Sequence, residues 1–301
     1  MAGNPSIILL MTHFLDDRIV AQARRLRAEA PADMDVAVLY NRSDDPKPGY
    51  AVPPDIEVFA FGAENIRGLG YPRKGRRLNP RDVELFVVHF HRRRPDYIYY
   101  WVVEYDVAFT GAWGGVFEAF RTSRADLLTT TLHRYPVNPI WENWASVNSP
   151  EGRPARQTLL RAFMPFYRIS RRALAALDEA YAEGWTGHYE CTVPTILASQ
   201  GLILEDFGGD GEFVADGNRN RFYTNNPASN DLAPGSFVFR PIRSAPGPEC
   251  NHLWHPVKPP SLPDGWVTGR LHILSRLART WMRAGLTRVE RLWARIPAQN
   301  K

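Results

Sequence analysis

The stretch "YIYYWVVEYD", residues 97–106, decides the fold. Its first seven residues are aromatic or β-branched, with no polar alternation. Such a run reads as a strand buried on both faces, the pattern of a parallel sheet's interior. It then meets Glu104 and Asp106, two carboxylates one residue apart. In an extended strand, residues i and i+2 share a face. Both carboxylates are therefore expected at the strand's carboxyl end, where open α/β sheets bind ligands. Neighbouring buried carboxylates repel and lose hydration. A divalent cation relieves both problems, and hard oxygen ligands suit Mn²⁺ or Mg²⁺. The alternative is a strand that leaves the core here, with both carboxylates in water.

Working outward, the flanking segments fit the same sheet. "SIILLM" at 6–11 is a short apolar run that reads as a buried strand. "DDRIVAQARRLRAEA" follows with helical spacing, Asp16 or Asp17 being a natural N-cap, and "DMDVAVLYN" is a second strand. A third strand is expected at 56–62, a basic loop over 64–80, a helix over 81–93 and, after the central strand, a short helix and a strand over 125–132. This β-α-β opening predicts right-handed crossovers and a Rossmann-like, mostly parallel sheet flanked by helices. After residue 134 the texture changes. A mixed segment leads into a helix over 170–183 capped by Ser170, a second helix is broken near Pro194, and a short strand follows at 202–209. Residues 208–264 are rich in Gly, Asn and Pro and read as ordered loops.

The chain of 301 residues is 44% hydrophobic, which supports a sizeable core. Its net charge of +5 favours anionic partners. Two cysteines, Cys191 and Cys250, exclude a disulfide framework or a zinc ribbon. A reducing, cytoplasmic setting is expected, with neither a signal peptide nor a spanning helix. Basic residues are scattered rather than gathered into a nucleic-acid motif, so nucleic acid is not an expected partner.

The order of elements, the acidic x-D motif and the late "ECNHLWHPVKP" resemble the GT-A fold of nucleotide-sugar-dependent glycosyltransferases, over roughly residues 5–260. The resemblance implies a divalent metal, Mn²⁺ or Mg²⁺, held by Glu104, Asp106 and His255, with Lys258 on the donor phosphate. Glu104 stands where that family's motif has its first Asp. The resemblance also implies a nucleotide-sugar donor and a glycan or lipid-linked acceptor. The turn after the first strand, with Thr12, His13 and Asp17, would line the nucleobase and ribose; for Asp17 simple helix capping is the competing reading. Glu190, ahead of a late apolar helix, would be the base that takes the acceptor's proton, with His188 and Tyr189 beside it at the acceptor. A stabilising helix N-terminal carboxylate is the plainer role for Glu190.

Two further sets follow from side-chain chemistry. Arg73, Lys74 and Arg76 lie in a glycine-containing loop without a Walker A spacing. They read either as a solvated basic loop or as a lid over a diphosphate. Trp141 and Trp144 read as an acceptor platform or as half-buried packing. Residues 1–265 are expected to form the catalytic domain, with a donor-binding half to 134 and a loop-rich acceptor half after it. Residues 266–301 form a separate segment. Within it, 268–296 carries seven arginines and two tryptophans at helical spacing. This basic amphipathic helix suits an anionic membrane surface, or a docked position on protein. The rival functions are a metal-dependent nucleotidyl- or phosphoryl-transfer enzyme using the same carboxylates, and a non-catalytic carbohydrate-binding protein.

Overall fold

A computed structural model of the chain describes residues 6–76, 81–225 and 235–258. The chain divides into two units, Met1–Val257 and Lys258–Lys301. Lys258 is the one described residue of the second unit, and the helix expected over 268–296 and the boundary expected at 265 lie outside the described residues.

In the first unit, β1 (Ser6–Thr12), α1 (Asp17–Glu29), β2 (Met34–Asn41), β3 (Val58–Phe61), α2 (Ala63–Arg67), α3 (Glu84–Arg93) and β4 (Tyr99–Glu104) come first. Then come β5 (Ala108–Phe109), α4 (Trp113–Ala119), β6 (Leu127–Arg134), β7 (Leu160–Ser170), α5 (Arg171–Glu183), α6 (Tyr189–Ser199), β8 (Leu204–Asp206) and β9 (Leu253–Trp254). Seven strands form one sheet in the order β3-β2-β1-β4-β7-β6-β8, and β5 pairs with β9 in a separate ribbon. Only β7 runs antiparallel to its sheet neighbours. The expected mostly parallel sheet flanked by helices is present.

The unbroken apolar runs are explained by burial on both faces. Ile7, Leu9, Tyr100 and Val102 pack against α3, α5 and α6. Ile8, Leu10, Trp101 and Val103 pack against α1, α4 and the late loops through Phe207, Phe237 and Leu253. Each fully buried Leu or Ile contributes roughly 1.5–3 kcal/mol over an exposed one. Both expected caps hold. The Asp16 side chain accepts from the amides of Arg18 and Ile19, and Ser170 accepts from Ala173.

Three expectations are corrected. The mixed segment before 170 is an eleven-residue strand buried throughout, lying between β4 and β6. Residues before and after 134 therefore share one sheet. The helix expected to break near Pro194 is continuous from Tyr189 to Ser199, with every residue from Tyr189 to Leu197 buried. The basic loop opens with the short helix α2. No helix among the described residues is long and apolar enough to cross a membrane.

Candidate active site

The carboxylate pair does converge, but through a turn rather than strand alternation. β4 ends at Glu104, and the Val107 amide donates to the Glu104 carbonyl at 2.9 Å, closing a tight turn around Tyr105 and Asp106. The Tyr105 amide donates to the Met11 carbonyl at 3.0 Å, tying this turn to the end of β1. Asp106 is buried and Glu104 is half-buried. A late loop then crosses the same end of the sheet. The Val257 amide donates to the Asp106 carbonyl at 2.8 Å, bringing His255 over the carboxylates.

His255 is held from several sides. Its amide donates to the Ser236 carbonyl at 3.0 Å, and its carbonyl accepts from Val238 at 3.2 Å. Its Nδ1 lies 2.9 Å from the Val238 carbonyl oxygen. A carbonyl can only accept, so Nδ1 carries a proton, and it is Nε2 that a neutral ring could offer to a metal. That Nε2 lies 3.6 Å from Asp106 Oδ1. Phe163 and Phe237 pack on the ring at 5.1 and 5.5 Å between centroids. One ligand atom each from Glu104, Asp106 and His255 lie within 4.8 Å of one another. Two carboxylate oxygens and one imidazole on a buried, braced scaffold fit a hard to borderline divalent ion such as Mn²⁺ or Mg²⁺.

The N-terminus of α6 carries the residues that sequence reading placed at the acceptor. His188 is its N-cap and Glu190 lies in its first turn, where the helix dipole favours a carboxylate. Glu190 Oε2 is 3.9 Å from His188 Nδ1. Burial, then the charges of Lys74 and Arg161, push the His188 pKa down to about 3. The imidazole is therefore neutral, and the contact is not an ion pair. The Tyr189 phenol is buried in the main core. Its pKa is held well above the ordinary value by burial first, then by the Glu190 and Glu104 carboxylates. Backbone bonds fix this helix start, since the Tyr189 amide donates to the Arg81 carbonyl at 3.2 Å and the His188 amide to Ser146 Oγ at 2.9 Å.

Other expected site residues fall elsewhere. Lys74 is not a phosphate ligand on an open loop. Its side chain is fully buried, with Nζ bonded to Glu84, to Asp82 at 3.1 Å and to the Gly187 carbonyl at 3.1 Å. Burial raises the Glu84 carboxyl although Lys74 opposes it, and the Tyr181 hydroxyl donates to Glu84 at 2.8 Å. Arg73 and Arg76 are exposed on the same loop. The Trp141 and Trp144 rings are not open platforms. They are 6% and 4% exposed and pack edge to face at 5.3 Å, with the Arg161 guanidinium 4.2 Å over Trp141. Tyr189 belongs to the main core.

Thr12 is buried at the end of β1, where its hydroxyl donates to the Phe14 carbonyl at 2.9 Å. His13 is half-buried and packs edge to face on Phe14 and Tyr105, both at 5.1 Å. Asp17 is exposed, accepts from the Tyr50 hydroxyl at 2.6 Å, and leaves the capping to Asp16. Lys258 begins the second unit. Sequence reading missed Val238 as the group orienting His255, because a backbone carbonyl has no residue signature. It also missed Asn138, His133 and Arg161 beside the tryptophans.

No family model matches the chain, and no curated protein sequence matches it. Solved structures similar to it include the mannosyltransferase Ktr4p from S. cerevisiae, at 12% identity and a TM-score of 0.34, over 68% of this chain and 69% of that one. Another is core-mannan synthase A (CmsA/Ktr4) from Aspergillus fumigatus in an Mn/GDP form, at 12% identity and a TM-score of 0.32, over 68% of this chain and 73% of that one.

Proposed function

We propose that the protein is a metal-assisted glycosyltransferase that moves a sugar from a nucleotide-sugar donor to a hydroxyl of a glycan or lipid-linked acceptor. The observation that carries this reading is the convergence of Glu104, Asp106 and His255, with ligand atoms within 4.8 Å, at the carboxyl end of the sheet's central strand. Those three residues would hold the divalent ion. A cation bound there supplies charge neutralisation for the departing diphosphate. Glu190, ionised at the start of α6, takes the proton from the attacking acceptor hydroxyl. Neutral His188 orients that hydroxyl without competing as an acid. Such a base serves an inverting displacement. Arg73 and Arg76, on the loop that Lys74 anchors, assist the donor diphosphate.

The test is calorimetric titration of uridine and guanosine diphosphates, with and without Mn²⁺, followed by product analysis with the matching nucleotide sugars. One nucleotide is expected to bind in a Mn²⁺-dependent manner, and Asp106→Asn is expected to remove that dependence. A flat nucleotide panel, or a nucleotidyl group found on the acceptor, would overturn the proposal.

A further inference from the structure

Lys74 makes more bonds than its charge requires. Its ammonium has three N–H donors, and all three are used. Two go to the carboxylates of Glu84 and Asp82. The third goes to a neutral group, the Gly187 carbonyl at 3.1 Å, 113 residues away in sequence. Tyr181 braces the cluster. Its hydroxyl donates to Glu84 at 2.8 Å, and its ring centre lies 4.8 Å from Lys74 Nζ. Charge compensation accounts for the two carboxylates but not for the bond to Gly187. That bond fixes the residue immediately before His188, the N-cap of α6.

Two more bonds join the same pair of segments. The Thr186 hydroxyl donates to the Arg73 carbonyl at 3.1 Å, and the Tyr189 amide to the Arg81 carbonyl at 3.2 Å. The Tyr189 amide lies in the first turn of α6, where no helical carbonyl can serve it. Asp82 sets the loop's own backbone as well, since it accepts from the Gly75 amide at 3.0 Å. Residues 146–148 hold the segment before α6 independently. Thr186 and Asn148 exchange amide-to-carbonyl bonds, both at 2.9 Å, and the His188 amide donates to Ser146 Oγ. Losing the Lys74 bond therefore frees one hold and leaves the other. Arg73 and Arg76 are exposed on the loop so held.

We propose that Lys74 is a positioning residue: it latches the loop carrying Arg73 and Arg76 onto the start of α6, and so sets where His188 and Glu190 stand. The catalytic consequence rests on the glycosyl-transfer reading above; the latch does not.

A latch and a cluster that only balances charge differ once the whole cluster is neutralised. The triple variant Lys74→Met/Asp82→Asn/Glu84→Gln strands no charge, and such replacements are often neutral for stability. It is expected to keep the wild-type circular dichroism and urea midpoint. In the full chain its Tyr189 amide is nevertheless expected to exchange hydrogen about tenfold faster, while the Leu9 amide in β1 keeps its rate. With the nucleotide sugar chosen by Mn²⁺-dependent binding, kcat is expected to fall about tenfold and nucleotide affinity to stay within about twofold. Thr186→Val, which removes one bond and leaves the ionic cluster whole, is the second variant should the triple fail to fold. Its Tyr189 amide is expected to exchange about fivefold faster. Wild-type exchange at Tyr189 in the variant that folds overturns the latch. Wild-type kcat in a stable triple variant overturns the positioning role, since the cluster then only balances charge. Unchanged exchange beside intact Mn²⁺-dependent nucleotide binding sinks this inference alone. Faster Tyr189 exchange in a protein that binds no nucleotide sinks the transferase reading alone.

Discussion

His188 and His133 carry a pH signature that single-residue variants can isolate. Their pKa values in the folded chain are pushed down to about 3 and about 4, chiefly by burial. An unfolded chain takes up these protons as pH falls through the ordinary value near 6.5, whereas the folded chain resists until far lower. Stability is therefore fully present above pH ~6.5 and is lost on acidification, by about 1.4 kcal/mol per pH unit for each histidine. His188→Gln is expected to flatten the decline between pH ~6 and ~4 by about that slope, in urea unfolding at several pH values. Curves that stay parallel contradict the assignment of a neutral His188. Lys74 offers a test of the opposite kind. Lys74→Met strands Asp82 and Glu84 in the interior, and it is expected to cost about 3–5 kcal/mol in the same assay. A loss under ~1 kcal/mol would place Lys74 on an accessible loop after all.

At the scale of elements, the start of α6 is the joint on which the proposed base depends. Gly187 has φ +146°, and an added Cβ would meet Thr192 Cγ2 at 2.8 Å and Val147 Cα at 2.9 Å. Its carbonyl accepts from Lys74 and its neighbour His188 caps the helix. Gly187→Ala is expected to displace Glu190 and cut kcat at least tenfold, while Mn²⁺-dependent nucleotide binding, set at β4, stays within about twofold. Equal losses in both would mean that the substitution disturbs the whole fold. β7 is the element that sequence patterning hides. It is apolar, but Arg161 and Arg168 interrupt it and Pro165 lacks the amide a central strand normally uses. The structure accommodates these departures individually. Arg168 donates to the carbonyls of Phe120, Ser123 and Ala125 and lies 4.0 Å from the Tyr99 ring, while the β6–β7 register shifts beside Pro165.

At the scale of the molecule, what sequence made legible is what repeats along the chain. Two-sided burial writes itself as the continuous runs of β1, β2 and β4, and helix ends write themselves as Asp16 and Ser170. Glu104 and Asp106 stood out because two acids terminate such a run. Long-range pairings leave no such trace. The sequence cannot distinguish Lys74 from Arg73 or Arg76, because only Asp82 and Glu84 folded around it make it structural. Trp141 and Trp144 mislead for the same reason, since the Arg161 that covers one of them comes from β7. The central claim concerns one point in space, where the turn after β4 meets the late loop bearing His255. The most direct measurement is anomalous diffraction from crystals grown with Mn²⁺ and a nucleoside diphosphate. The expected result is a manganese peak within bonding distance, about 2.0–2.3 Å, of Glu104 or Asp106 oxygens and of His255 Nε2, with the diphosphate on its open side. A nucleotide bound with no peak at that point, or with the metal held by other residues, contradicts the account.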